Sequence, residues 1–156
     1  MALACKGLVY EIGCSTMNNV PPIDLNRLRD DIQRAYDALV RERFGTLTPR
    51  QRQRLDEIAL PMRKVIDAVN EYHTYLDSPD YLHTYDPRYR LMYAARTPME
   101  MVLQCAYFLH INHMRKNDPL NQDQIEAVWL MERSGRRLVL EIEHLWAAMR
   151  AEGQQT

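Results

Sequence analysis

His110 and His113 stand three residues apart in a stretch that reads as helix, close enough to share one face. Two imidazoles so placed begin a metal site, but zinc asks for further ligands nearby. No Asp, Glu or Cys lies one turn away on that face, and His110 falls on the helix's apolar seam. The default for both is therefore a core or cap role, since an imidazole near a helix C-terminus also suits the dipole. Tyr81, Tyr85, Tyr89 and Tyr93 recur every four residues. On a helix they form a stripe that either grips a partner or stacks on a ligand, or else covers a linker. Pro87 interrupts it, which favours the covering role. Arg50, Arg52 and Arg54, and Arg133, Arg136 and Arg137, read as solvated faces offset by neighbouring Asp and Glu. Trp129 and Trp146 sit beside a seam, as core or edge residues. Cys5, Cys14 and Cys105 lack metal-ligand spacing. Reduced thiols are expected, with a Cys5–Cys14 disulfide the alternative and Cys105 a small buried residue. No nucleophile–base pair, phosphate-binding loop or dinucleotide glycine pattern occurs, so no cofactor is expected.

The elements that would position these side chains are helices. With 5 Gly in 156 residues and frequent Ala, Leu, Met, Arg, Glu and Gln, the composition favours helix. Lys plus Arg number 20 against 21 Asp plus Glu, which leaves no electrostatic footprint for nucleic acid. No apolar run approaches the roughly 18 residues of a membrane span, and the N-terminus lacks the features of a secretory signal. A cytoplasmic protein without nucleic-acid or membrane partners is the expectation.

Residues 1–22 read as an irregular tail with one short strand-like piece, Leu8 to Ile12. A first helix is predicted from Asp24 to Phe44, with Leu28, Ile32, Ala35 and Leu39 as its seam and Gly45 ending it. Thr48, Pro49 and Gln51 form a capping box for a second helix running to Leu76, bent but not ended by Pro61. A linker over 78–87 follows. A third helix is predicted from Pro87 to Lys116, with Pro98 marking either a kink or a restart, and with Met99, Leu103, Ala106 and His110 as its seam. Asn121 and Gln124 open the fourth, whose seam is Val128, Met131, Gly135, Leu138, Ile142, Leu145 and Met149. A shift of 73 residues lays Leu47, Thr48 and Gln51 on Leu120, Asn121 and Gln124. A shift of 71 lays Leu28, Ile32, Ala35 and Tyr36 on Met99, Leu103, Ala106 and Tyr107. The chain thus reads as two related hairpins, residues 23–77 and 88–151, in one compact domain.

Arg96-Thr97-Pro98-Met99, the later Leu120-Asn121-x-x-Gln124 and the Ser134-Gly135 pair follow one another in an order that resembles the dimerisation and histidine-phosphotransfer domain of bacterial sensor histidine kinases. In that family a His-Glu-Leu-Arg-Thr-Pro-Leu box opens the first helix, and a Leu-Thr-x-x-Gln start and a Ser-Gly pair mark the second. Arg43 to Gln51 looks like the same inter-helix turn in the first half. The resemblance covers residues 23–150 and implies an all-α fold. Two antiparallel hairpins would bury both seams in an intrachain four-helix bundle, a pseudo-dimer within one chain. A monomer or weak homodimer follows from that.

The departures from the family decide the function. Tyr93 stands where the phosphoacceptor histidine belongs, and Ala94 replaces the acidic residue after it. In the first half the same position falls near Pro22. No ATP-binding domain follows the fourth helix, so an autokinase is not expected. The reading is a non-catalytic signalling module that binds a receiver domain, a kinase or another signalling protein. Its docking surface would involve Tyr93, Arg96, Thr97, Met99, Glu100, Gln124 and Met131. Two alternatives stand beside it: a histidine phosphotransferase using a displaced His110 or His113, and an unrelated ligand-binding or scaffolding bundle.

Overall fold

The computed structural model describes residues 24–78 and 86–154. The tail, its strand-like piece, Cys5, Cys14, Tyr81, His83, Tyr85 and most of the linker lie outside the described residues. Every regular element among the described residues is a helix: α1 (Leu25–Val40), α2 (Pro49–Glu57), α3 (Ala59–Asp77), α4 (Pro87–Met114) and α5 (Gln122–Gly153). The all-α expectation holds.

Asp24 starts α1, its carboxylate accepting from the Asn26 N–H at 2.9 Å. The helix stops at Val40, earlier than Gly45 suggested. Glu42 takes the left-handed conformation (φ 55°), and the N–H groups of Glu42 and Arg43 return to the carbonyls of Leu39 and Ala38. This closes a Schellman turn with a glutamate where glycine is usual. The end of α4 repeats the arrangement: Lys116 has φ 58°, and Lys116 and Asn117 donate to His113 and Asn112. Gly45, with φ 124°, instead bends the chain after the helix has ended. The two left-handed residues stand 74 apart, and their helices bury Leu25, Ile32 and Ala35 opposite Met99, Ala106 and Leu109 in that register. The shift of 71 therefore gives way to 74. Tyr36 and Tyr107, paired by the shorter shift, differ: Tyr36 donates to the Leu55 carbonyl, whereas Tyr107 is exposed.

The predicted second helix is two. Ile58 leaves the helical conformation (φ -102°, ψ 6°) and its N–H turns to Leu55 rather than Arg54. Pro61 is the cause: it has no N–H to give Glu57, so the ladder fails one turn upstream. The Arg54 carbonyl, which loses the Ile58 N–H, and the Leu55 carbonyl, which gains it, both take a side-chain donor as well. Arg54 O accepts from the Cys105 thiol at 3.2 Å, and Leu55 O from the Tyr36 hydroxyl at 3.1 Å. Pro98, by contrast, lies inside an unbroken α4, which settles kink or restart in favour of continuity.

Both capping boxes form, Thr48 with Gln51 and Asn121 with Gln124. Helix α4 lies between α3 and α5; α1 packs along α5 and touches α3. The core runs through all of them, with Met62, Val65 and Val69 of α3 against Met99 and Val102 of α4, and Val128, Met131 and Leu138 on α5. Each such side chain contributes about 1.5–3 kcal/mol by leaving water. Along α4 the buried stripe is Ala95, Met99, Val102, Ala106 and Leu109. After Met99 the step is three residues rather than four, which leaves Leu103 half-buried and moves His110 from the seam to its edge. At Gly135 α5 packs tightly on α4: a Cβ there would stand 2.7 Å from Met99 Cε.

Candidate functional site

The outer face of α4 presents Tyr93, Arg96, Thr97 and Glu100 in one exposed row. Their spacing of three and four residues places them on one side of the helix, opposite the stripe that Ala95 and Met99 bury. Tyr93 is 66% exposed. Its ring lies 4.5 Å from that of Tyr89 and 6.1 Å, edge-on, from Trp146 of α5. The Arg150 guanidinium lies over the same tryptophan ring, 5.9 Å from its centroid. The described half of the tyrosine stripe is thus an aromatic cluster on the α4–α5 surface. Arg96 reaches Glu100 on its own helix and Glu143 on α5, both at 3.4 Å.

Tyr93 stands on a ridge between two depressions. One, of about 660 Å³ between α3 and α4, is lined by Leu60, Tyr93, Thr97, Pro98 and Met101 among others. Leu60 and Met101 are 60% and 48% exposed there. The other, of about 250 Å³, lies between Tyr93, Arg96 and Trp146. The two depressions thus leave large apolar side chains in water beside a concave surface.

Three of the residues predicted for docking are not on this face. Met99 and Met131 are fully buried, pointing into the α4–α5 contact. Gln124 is 4% exposed and its amide is occupied, donating to the carbonyls of Gly45 and Thr46. A partner cannot touch them. They shape the surface only by holding the helices that carry it.

His110 and His113 do not converge. His113 Nδ1 accepts the Leu120 N–H at 3.0 Å and so secures the turn between α4 and α5. His110 Nδ1 lies 2.9 Å from Oε1 of Glu132 on α5, and its ring meets Trp129 edge-on at 6.0 Å. Glu132 is 6% exposed, with its other oxygen 3.2 Å from Arg136. A carboxylate only accepts, so it holds the proton on His110 Nδ1 and leaves the Nε2 lone pair free. The His110 side chain is 32% exposed. A buried carboxylate orienting a half-exposed imidazole is an arrangement suited to nucleophilic or proton-transfer chemistry.

Glu132 escaped the sequence reading because its partner comes from another helix. Its signal was an acidic residue on seam spacing, four after Val128 and three before Gly135. His144 is exposed beside Glu141, and His73 has a buried Nε2 without a hydrogen-bond partner among the described residues. Among those residues no three His, Cys, Asp or Glu side chains gather to hold a metal, and no helix is long and apolar enough to cross a membrane. No family model matches the chain, and no curated protein or solved structure does either.

Proposed function

We propose that this chain is a non-catalytic signalling module, a degenerate relative of the histidine-kinase dimerisation domain. It docks a receiver domain, a kinase or another signalling protein on the Tyr93 face. The observation that carries the reading is the exposure of Tyr93, 66%, at the position where the family places its phosphoacceptor. Arg96, Thr97 and Glu100 extend the same row. Two hairpins in one chain form the four-helix bundle that the family builds from two chains. The neighbour relations α1–α5, α5–α4, α4–α3 and α3–α1 support that arrangement. So do the twin Schellman turns and twin capping boxes, which favour duplication of one hairpin.

The test is titration calorimetry of the chain against receiver domains, phosphorylated and unphosphorylated. Binding that weakens about ten-fold or more in Tyr93→Ala, as for a central interface aromatic, supports the reading. Neither binding nor phosphate transfer with any receiver refutes it.

The Glu132–His110 pair favours a second reading, phosphotransfer through a displaced histidine. His110 would then take a phosphoryl group on Nε2. Incubation with phosphorylated receivers should leave acid-labile phosphate that His110→Gln abolishes. Its absence with several donors removes this reading and leaves the first intact.

A further inference from the structure

A second groove, of about 1100 Å³, runs between α1 and α5, away from Tyr93. It occupies the same positions in the repeat as the α3–α4 groove. Leu130, Arg133 and Leu140 stand 73 residues after Glu57, Leu60 and Asp67, and Arg27 stands 74 before Met101. The concavity is therefore a product of the fold, made twice, and only its chemistry differs. Where the α3–α4 groove has apolar Leu60 and Met101, this one has the guanidinium groups of Arg133 and Arg27, on facing walls. Where the first has the carboxylates of Glu57 and Asp67, this one has Leu130 and Leu140.

The exchange produces an apolar floor between basic rims. Trp129 and Leu140 on α5 are 38% and 40% exposed. Among the described residues neither Arg27 nor Arg133 has an ion-pair partner. Arg136 and Arg137 add positive charge at the α5 rim, each pairing with a glutamate on its own helix. The opposing charges are fewer. Asp24 is engaged in capping α1, which leaves Asp31 as the only uncommitted carboxylate in the lining. From Leu130 to Leu140 the floor follows α5 for about 15 Å, nearly three helical turns.

We propose that the α1–α5 groove is a docking site for an amphipathic helix of another protein, one whose apolar stripe is flanked by carboxylates. The apolar floor takes the stripe, and Arg27 and Arg133 meet the flanking acids from opposite walls. A small anion would leave Leu28, Leu130 and Leu140 without a role. The chain's own first 23 residues supply one acid, Glu11, and so lack the charge pattern. With the Tyr93 face already a candidate for one partner, this groove makes the chain a two-partner adaptor, though the groove's chemistry does not depend on that reading.

The test uses the full chain and two fluorescent 15-residue helical peptides, with leucines at helical spacing and either glutamates or lysines on the flanks. The glutamate peptide should bind about ten-fold or more tightly than the lysine peptide, and more weakly as salt rises. The double variant Arg27→Glu/Arg133→Glu should lose that preference while keeping its helical circular dichroism. Leu60→Glu, in the other groove, should leave binding unchanged. Equal binding of both peptides, no binding of either, or a loss caused by Leu60→Glu alone would overturn the proposal.

Discussion

Gln51 and Gln124 reach past each other between the two inter-helix turns. The Gln51 amide donates to the carbonyls of Asp118 (3.3 Å) and Pro119 (3.4 Å), and the Gln124 amide to those of Gly45 (3.1 Å) and Thr46 (3.3 Å). Asp118 and Pro119 stand 73 residues after Gly45 and Thr46, the offset that also separates Gln51 from Gln124, so the exchange is reciprocal. Each glutamine also accepts at 2.9 Å from the N–H of its own cap residue, Thr48 or Asn121. One buried side chain thus starts a helix and ties its turn to the other.

Gln51→Ala and Gln124→Ala should each lower stability by about 1–2 kcal/mol, since each removes half of a capping box together with the hydrogen bonds between the turns. The double variant should lose measurably less than the sum, by roughly 0.5 kcal/mol or more, because the first change already loosens the contact between turns. Urea denaturation of the four proteins measures this. Strict additivity would show the turns to be independent.

The left-handed residues behave differently although their backbones match. Lys116→Gly should stabilise the protein by about 1 kcal/mol, because glycine adopts φ 58° without strain. Glu42→Gly should gain little or lose, since the Glu42 carboxylate accepts from the Leu47 N–H at 3.3 Å and pairs with Arg52. Thermal melts rank the two. An equal gain at both would mean that the Glu42 side chain contributes nothing.

Helix identity and the capping boxes were legible in the sequence because they depend on local chemistry: Thr48-Pro49-x-Gln51 and Asn121-x-x-Gln124 carry their own hydrogen bonds. The break at Ile58 was half legible. Pro61 announced a fault, but whether it bends or ends a helix depends on what bonds the carbonyls there, here Cys105 and Tyr36 from other helices. Of the residues expected on a docking surface, Tyr93, Arg96, Thr97 and Glu100 are exposed, whereas Met99, Gln124 and Met131 are buried. Those three were placed on it by motif order, whereas the angle around the helix decides which residues face water. Glu132 with His110 was out of reach for a similar reason: 22 residues separate them, and only tertiary packing brings α4 and α5 together.

His110 and His113, three residues apart on one helix, should hold opposite tautomers. Glu132 fixes the proton on Nδ1 of His110, while the Leu120 N–H occupies Nδ1 of His113 and sends its proton to Nε2. Long-range proton–nitrogen spectra of the neutral imidazoles distinguish the two forms. In Glu132→Leu the preference at His110 should fade and that at His113 persist. A proton on Nε2 of His110 would sink the assignment of Glu132 as the orienting group, and with it the second functional reading.

Arg88 ties the start of α4 to the end of α5, meeting Asp86 at 2.7 Å and Glu152 at 2.6 Å. The guanidinium holds both carboxyls below their ordinary range. A carboxyl whose folded pKa is lowered adds stability above its unfolded pKa and loses it as pH falls through the folded value. The stability difference between the native chain and Arg88→Ala should therefore be constant near neutrality and shrink below pH of about 4. Denaturation series at several pH values read it out. A difference that stays constant into acid would mean that Arg88 acts through packing alone.

Cys105 supplies the complementary test at alkaline pH. Burial pushes its thiol up to about 12, and the thiol donates to the Arg54 carbonyl that the Ile58 break left free. A group with a raised folded pKa gives its full stability below the unfolded value and loses it as pH climbs above that value. Stability should accordingly decline above pH of about 8.5, where the unfolded chain ionises this thiol and the folded chain does not. Cys105→Ala should remove the part of that slope between pH of about 8.5 and 9.5, before tyrosines begin to ionise. The same variant should cost about 1 kcal/mol or more at neutral pH, because it removes the thiol that donates to the half-buried Arg54 carbonyl and the packing of its side chain. Alkylation followed by peptide mapping gives an independent reading: Cys105 should resist iodoacetamide in the folded protein at pH of about 8 and react once urea unfolds it. Rapid labelling of the folded chain at Cys105 would show that the α2–α3 break opens in solution and that the thiol does not hold it.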